Sequence, residues 1–161
     1  MPVRHNPFIK LFWSMHLKLY QWTSGRIGHT LRGLPVLLLT TKGKKTGQLR
    51  TKALMYVPHG EAYVVIASNL GKDDHPAWWY NLQANPQAEV QVLANRFKVH
   101  AREAREDERE IIWQALAEKT PDYEQYRSWT SRRIPLVILE RHESFHSAKI
   151  LPLDTRKGIF P

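Results

Sequence analysis

Six short apolar runs, each closed within a few positions by turn-forming residues, restrict this chain to a sheet of brief strands. They occupy residues 35–41, 49–57, 62–67, 89–93, 97–103 and 136–140. The first two are joined by Lys42-Gly43-Lys44-Lys45-Thr46-Gly47-Gln48, the second and third by a turn at Pro58-His59-Gly60, and the fourth and fifth by Ala94-Asn95-Arg96. Links this short join antiparallel neighbours, because a parallel crossover needs a dozen residues or more. Helices are few. Pro76 opens one over 77–82 that Asn85-Pro86 closes, residues 107–118 form a longer one, and 121–129 a short one. The expected fold class is α+β: about six antiparallel strands curling toward a barrel, with short flanking helices.

The N-terminus adds one more helix. Asn6 and Pro7 cap a segment over 8–22 in which Lys10, Ser14, Lys18 and Gln21 form a narrow polar stripe on a largely apolar and aromatic cylinder, and Gly25 ends it. Internal lysines and short length rule out a bilayer span, and the segment lacks the cleavage site of a signal peptide. Its apolar face suits a membrane surface, and equally the chain's own barrel or a second subunit. The expected organisation is an amphipathic helix and connector at 1–32, one barrel domain at 33–140, and an irregular tail at 141–161.

Charge is distributed unevenly. The first sixty residues hold ten Lys/Arg and no acid, Glu61 being the first. A one-sided positive field attracts polyanions: nucleic acid, an anionic membrane face or a phosphorylated cofactor. The absence of cysteine excludes disulfides, thiolate catalysis and iron-sulfur clusters, and it suits a reducing cytoplasm. Within the basic third, Lys42, Lys44, Lys45, Arg50 and Lys52 crowd one hairpin turn whose Gly43 and Gly47 let backbone amides approach an anion. That pattern fits a phosphate site and, equally, a solvated turn.

Other motifs carry less. His142-Glu143-Ser144-Phe145-His146 matches the two-histidine zinc protease pattern, but it begins two residues after a strand and lacks a third ligand on a well-formed helix, so no metal is expected. Trp78, Trp79 and Tyr80 are consecutive on a helix and point about 100° apart, so at least one must face a ligand or an interface. Tyr123 and Tyr126 share one face of a short helix.

Taken in order, the stretches LLLTTKGKKTGQLR, VVIASNLGKDDHPAWWYNL, ANPQAEVQV and PDYEQYRSWTSRRIPLVILE resemble the deazaflavin-dependent nitroreductase family of F420-binding split barrels, over residues 33–140. The resemblance implies a split barrel in which Lys44, Lys45, Thr46 and Arg50 hold the phosphate of coenzyme F420. It implies that Thr51, Lys52, Ala53, Leu54 and Met55, with Ile66, Ala67, Ser68 and Asn69, line the deazaflavin ring. Ala77, Trp78, Trp79, Tyr80 and Asn81 then pack on the cofactor, and Ser68 and Tyr123 face the acceptor beside it. Met55, Asn69 and Thr120 stand where the family has tyrosine, lysine and tyrosine, so the acceptor pocket is altered while the cofactor motif is intact.

The resemblance therefore implies an oxidoreductase that passes a hydride from F420H2 to a quinone or another small nitro or enone acceptor. Tyr123 is expected to orient and protonate the acceptor, Ser68 to donate a hydrogen bond to its oxygen, and Tyr126 to serve as the next candidate on the same helical face. The rival readings are an FMN-binding split barrel and a basic module for lipid or nucleic acid. Nucleic acid is not expected as a partner, since the aromatics lie away from the cationic turn in sequence. A monomer or homodimer is expected, cytoplasmic, with the N-terminal helix available for peripheral contact with the inner membrane face.

Overall fold

Strand β2 (Leu34–Lys42) is apolar on both faces and pairs on both edges, with β3 (Leu49–His59) across the cationic turn and with β5 (Gln87–Val92). This double pairing closes a ring of six antiparallel strands in the order β2-β3-β4-β7-β6-β5. The remaining members are β4 (Ala62–Ile66), β6 (Asn95–Glu103) and β7 (Leu136–Arg141). A closed ring leaves no open edge to template aggregation. All six expected runs are strands. Outside the ring, the two-residue β1 (Thr30–Leu31) pairs with β2, and it is too short for any apolar pattern to announce. The computed structural model describes residues 7–31, 33–119, 128 and 130–142. The expected helix at 121–129 and the tail from 143 lie outside the described residues, apart from Ser128.

The pleat sorts side chains into an inner and two outer clusters. Leu37, Leu39, Val65, Val90, Val99, Ala101, Val137 and Leu139 converge from the strands on the barrel interior. Helix α2 (Ala77–Ala84) contributes Trp78, Trp79 and Leu82 to that cluster and so plugs the barrel. Helix α3 (Glu106–Lys119) lays Ile112, Trp113 and Leu116 on the outer faces of β3, β4 and β7, against Val57, Val64, Ile66, Leu136 and Ile138. Its first turn is anchored by Glu108, which accepts from the Arg102 fork at 2.7 and 2.8 Å and from the Arg105 amide at 2.9 Å. Those bonds hold the Glu108 carboxyl down at about 2.

Helix α1 (Pro7–Trp22) docks on the adjoining outer face, over β2 and β3, through its last turns. Tyr20 is fully buried among Val36, Leu38 and Ala53; its hydroxyl donates to the Val36 carbonyl at 3.0 Å and accepts from the Leu93 amide at 2.8 Å. Gly25 ends the helix as expected, with φ of +77° and its amide on the Tyr20 carbonyl at 2.8 Å. A Cβ there would sit 2.6 Å from the Leu93 Cα, so the close approach of helix and barrel admits only glycine. The other flank of α1 stays in solvent: Leu11, Met15 and Trp22 are 60%, 62% and 85% exposed. Among the described residues no helix is long and apolar enough to cross a membrane.

Candidate active site

The cationic turn is held by α2. Within it, the Gly43 amide donates to the Gln48 carbonyl and the Gly47 amide to the Gly43 carbonyl, both at 2.8 Å, while the Gln48 amide donates to the Thr46 hydroxyl at 3.3 Å. A Cβ on Gly43 would meet that hydroxyl at 2.8 Å, so the tight curl depends on the missing side chain. Among the described residues, the tie to α2 runs through one carboxamide. Asn81, buried on α2, accepts from the Lys44 amide at 2.9 Å and donates to the buried Thr41 hydroxyl at 3.0 Å. A buried amide with both ends satisfied fixes orientation as well as position. Thr40 and Thr51 add a hydroxyl pair at 2.8 Å across the β2–β3 ladder just below the turn.

This wiring leaves the charges outward. Lys42, Lys44, Lys45, Arg50 and Lys52 are all exposed, and none has an ion-pair partner among the described residues. Among the described residues, Arg50 is steadied by a 3.0 Å bond to the Gln48 side chain. Five unneutralised cations on one rigid turn form a site for an anion with several charges.

From the turn, β3 runs down the barrel with its residues alternating. Leu54 packs with the interior cluster, whereas Ala53 and Met55 lie outward. Met55 touches both the cluster under α1 and the one under α3, so it marks the strip of β3 left between the two helices. The neighbouring strand ends in Ile66, packed under α3, and is followed by Ala67, packed inside. Ser68 is buried at the mouth of the loop that follows, and Asn69 is half-buried. On α2, Trp78 and Trp79 are interior while Ala77 and Tyr80 face solvent, Tyr80 being 43% exposed. Of the three consecutive aromatics, Tyr80 is therefore the one left for a ligand or an interface.

Tyr123, Tyr126 and Thr120 lie outside the described residues. Sequence reasoning passed over two residues beside Ser68, His75 and Arg132. Arg132 bonds the Ser68 carbonyl at 2.7 Å and the His75 Nδ1 at 3.0 Å. Burial first and Arg132 second push the His75 imidazole below its ordinary value, so the ring is neutral near pH 7. The His75 ring lies 5.9 Å from those of both Trp79 and Tyr80. His75 and Arg132 both lie within the stretches that carry the family resemblance, but nothing in their local pattern singles them out; an arginine beside another arginine ahead of a strand reads as solvated charge.

A model of the F420H(2)-dependent quinone reductase family matches residues 13–141. The chain belongs to this family. An F420H(2)-dependent quinone reductase of Mycobacterium tuberculosis is 42% identical over 131 residues, covering 79% of this chain and 88% of the relative. A solved F420-H2 dependent reductase, FDR-A, is 38% identical, covers 66% of this chain and 94% of its own, and superposes with a TM-score of 0.60. A further solved structure, described as a domain-swapped dimer, is 33% identical with a TM-score of 0.63, over 84% of this chain and all of its own. The protein is thus an F420-dependent oxidoreductase with coenzyme F420 as its cofactor. The residues fit that group, because the outward cations and the curled turn suit a phosphate-bearing, multiply anionic carrier.

The Asn81 bridge yields a direct test. Asn81→Leu keeps the volume but frees the Lys44 amide and strands the Thr41 hydroxyl, so unfolding free energy should drop by about 1–3 kcal/mol. F420 affinity, read by deazaflavin fluorescence, should fall roughly ten-fold, equivalent to about 1.4 kcal/mol. Unchanged affinity in a folded variant would show that the turn needs no hold from α2.

Proposed function

We propose that the protein oxidises F420H2 and delivers the hydride to a quinone, with the acceptor bound beside Ser68. The observation that carries the cofactor half of this reading is the rigid, unneutralised turn of Lys44, Lys45, Thr46 and Arg50, tied to α2 by Asn81. The reduced deazaflavin supplies the hydride; the chain supplies binding, orientation and shelter from water. In this reading Thr51 and Met55 present the outer strip of β3 to the ring, with Ala53 packed beneath Tyr20 between them. Leu54, Ala67, Trp78 and Trp79 back it from the barrel interior, with Ile66 and Asn69 at its far edge. Lys52 and Arg50 extend the charge along β3, and Ala77 and Tyr80 border the site from α2. Ser68 and Tyr123 offer hydroxyls to the acceptor oxygen, where negative charge builds as hydride arrives. Met55 in place of tyrosine widens the acceptor side toward an apolar ring.

Tyr123→Phe removes one hydroxyl and retains the ring. Turnover of a soluble quinone such as menadione with F420H2 should fall by about ten- to a thousand-fold, or about 1.4 to 4 kcal/mol, with F420 affinity unchanged. A wild-type rate in that variant, measured with chemistry rate-limiting, would remove Tyr123 from the reaction and move the test to Tyr126.

We further propose that α1 rests on an anionic membrane face, where lipid quinones are met. Supporting this, its undocked flank exposes Leu11, Met15 and Trp22 beside the exposed Lys18, and the first sixty residues carry no acid. Because these side chains are not in the barrel core, a Met15→Ser/Trp22→Ser variant should keep its fold and F420 affinity. It should lose at least about ten-fold in partition onto phosphatidylglycerol vesicles, since burying each side chain is worth roughly 1.5–3 kcal/mol. Equal partition of variant and wild type would overturn membrane contact, and a wild-type dimer that the variant loses would assign this flank to a second copy.

A further inference from the structure

We infer that Arg132 is a positioning residue that latches the acceptor-side loop, residues 67–75, to the approach of β7. This rests on the acceptor reading above. The loop is a poor self-supporting structure. Asn69, Leu70 and Gly71 have φ of 48°, 57° and 74°, three consecutive residues in the left-handed region, two of them bearing side chains. Such a path, strained above all at Leu70, persists only where surrounding contacts over-determine it. Internal bonds are few: Gly71 amide to Ser68 carbonyl at 2.9 Å, Lys72 amide to Asn69 carbonyl at 3.2 Å, and the Asn69 side chain to the Asp74 carbonyl at 2.8 Å.

One guanidinium supplies four more. Arg132 donates from Nε to the Lys72 carbonyl at 2.8 Å, from Nη2 to the Ala67 and Ser68 carbonyls at 3.1 and 2.7 Å, and from Nη1 to His75 at 3.0 Å. It therefore grips the start, middle and end of the loop at once. The His75 contact also fixes a tautomer. Guanidinium has donors only, so Nδ1 of His75 must be the acceptor and the ring hydrogen must sit on Nε2. Lysine, with its donors on one nitrogen, cannot span these four acceptors.

The arginine's own backbone is held from both sides. The Thr130 hydroxyl donates to Asp73 at 3.2 Å and accepts from the Arg132 amide at 3.3 Å. The Pro135 carbonyl accepts from the Ala67 amide at 3.0 Å, and the Ile134 carbonyl from Arg109 of α3 at 2.8 Å. Residues 130–135 are thus a fixed post, with Tyr123 and Tyr126 on the chain leading into it. The latch sets Ser68 in register with the approach of β7. Its loss should disturb the acceptor and spare the cofactor turn, which Asn81 holds separately.

The latch is tested by Arg132→Lys and Arg132→Ala against wild type. Expected is a fall in kcat/KM for menadione of at least about thirty-fold, about 2 kcal/mol, with F420 dissociation constants within a few-fold. Guanidinium ion, well below denaturing concentrations, should restore part of the rate in Arg132→Ala, and sodium at equal ionic strength should not. A kcat/KM within two-fold of wild type in folded Arg132→Lys would overturn the latch, as would a loss carried wholly by F420 affinity. Should Arg132→Ala fail to fold, Thr130→Val cuts the post alone and should lower kcat/KM several-fold; a wild-type value there also counts against the latch. Nitrogen NMR of His75 reads the latch without turnover: the wild-type ring should carry its hydrogen on Nε2 only, and the Arg132→Lys ring should populate both forms. A mixed tautomer in the wild type would refute the latch, whereas an Nε2-only ring in an enzyme that reduces no quinone would uphold it and refute the acceptor reading.

Discussion

Closure of the sheet at the β2–β5 seam is the constraint on which everything else here depends. Strand β2 can be apolar on both faces only because Leu37 and Leu39 point into the barrel while Val36 and Leu38 are covered by the Tyr20 end of α1. An open sheet would leave one of those faces, and one edge of β2, to water. Once the ring closes, the interior needs a plug, and α2 supplies it with Trp78, Trp79 and Leu82. Plugging the barrel is also what brings Asn81 against the β2–β3 turn. The packing demand and the binding geometry are met by the same short helix.

Polar side chains then do what the core cannot, which is to fix loops. Asn81 orients the cationic turn from one side of α2, and Arg132 gathers residues 67–75 on the other. The two are linked through His75, whose ring lies between Arg132 and the aromatic first turns of α2. In the proposed reading the first anchor serves the cofactor's charged end and the second the acceptor side. This division lets the acceptor side vary, as Met55, Asn69 and Thr120 do from the family pattern, without altering the charges that hold the cofactor.

The six strands and the turn were legible because their signals are local: apolar runs, breakers and charge placed within a few residues of one another. The exposed member of Trp78-Trp79-Tyr80 was legible only as a necessity, since no pattern told which ring would be outside. Arg132 was invisible for a physical reason. It stands beside Arg133, which pairs at the surface with Glu103 and Glu106, and only folding separates the two. The docking of α1 was likewise undecided, because one helix presents apolar residues to both the barrel and the solvent. Tyr20 settles its inner face by reaching the backbone of Val36 and Leu93, partners that no sequence spacing ties to it.

The central claim is that a rigid cationic turn selects a long polyanionic deazaflavin cofactor. Parallel fluorescence titrations with F420 and FMN at about 0.05 M and about 0.5 M salt test it most directly, since screening shortens the reach of exposed charges over that range. The account predicts tight F420 binding that weakens markedly at the higher salt, with FMN at least about ten-fold weaker at the lower, a gap of about 1.4 kcal/mol. Equal affinity for the two cofactors, or F420 binding indifferent to salt, would contradict it.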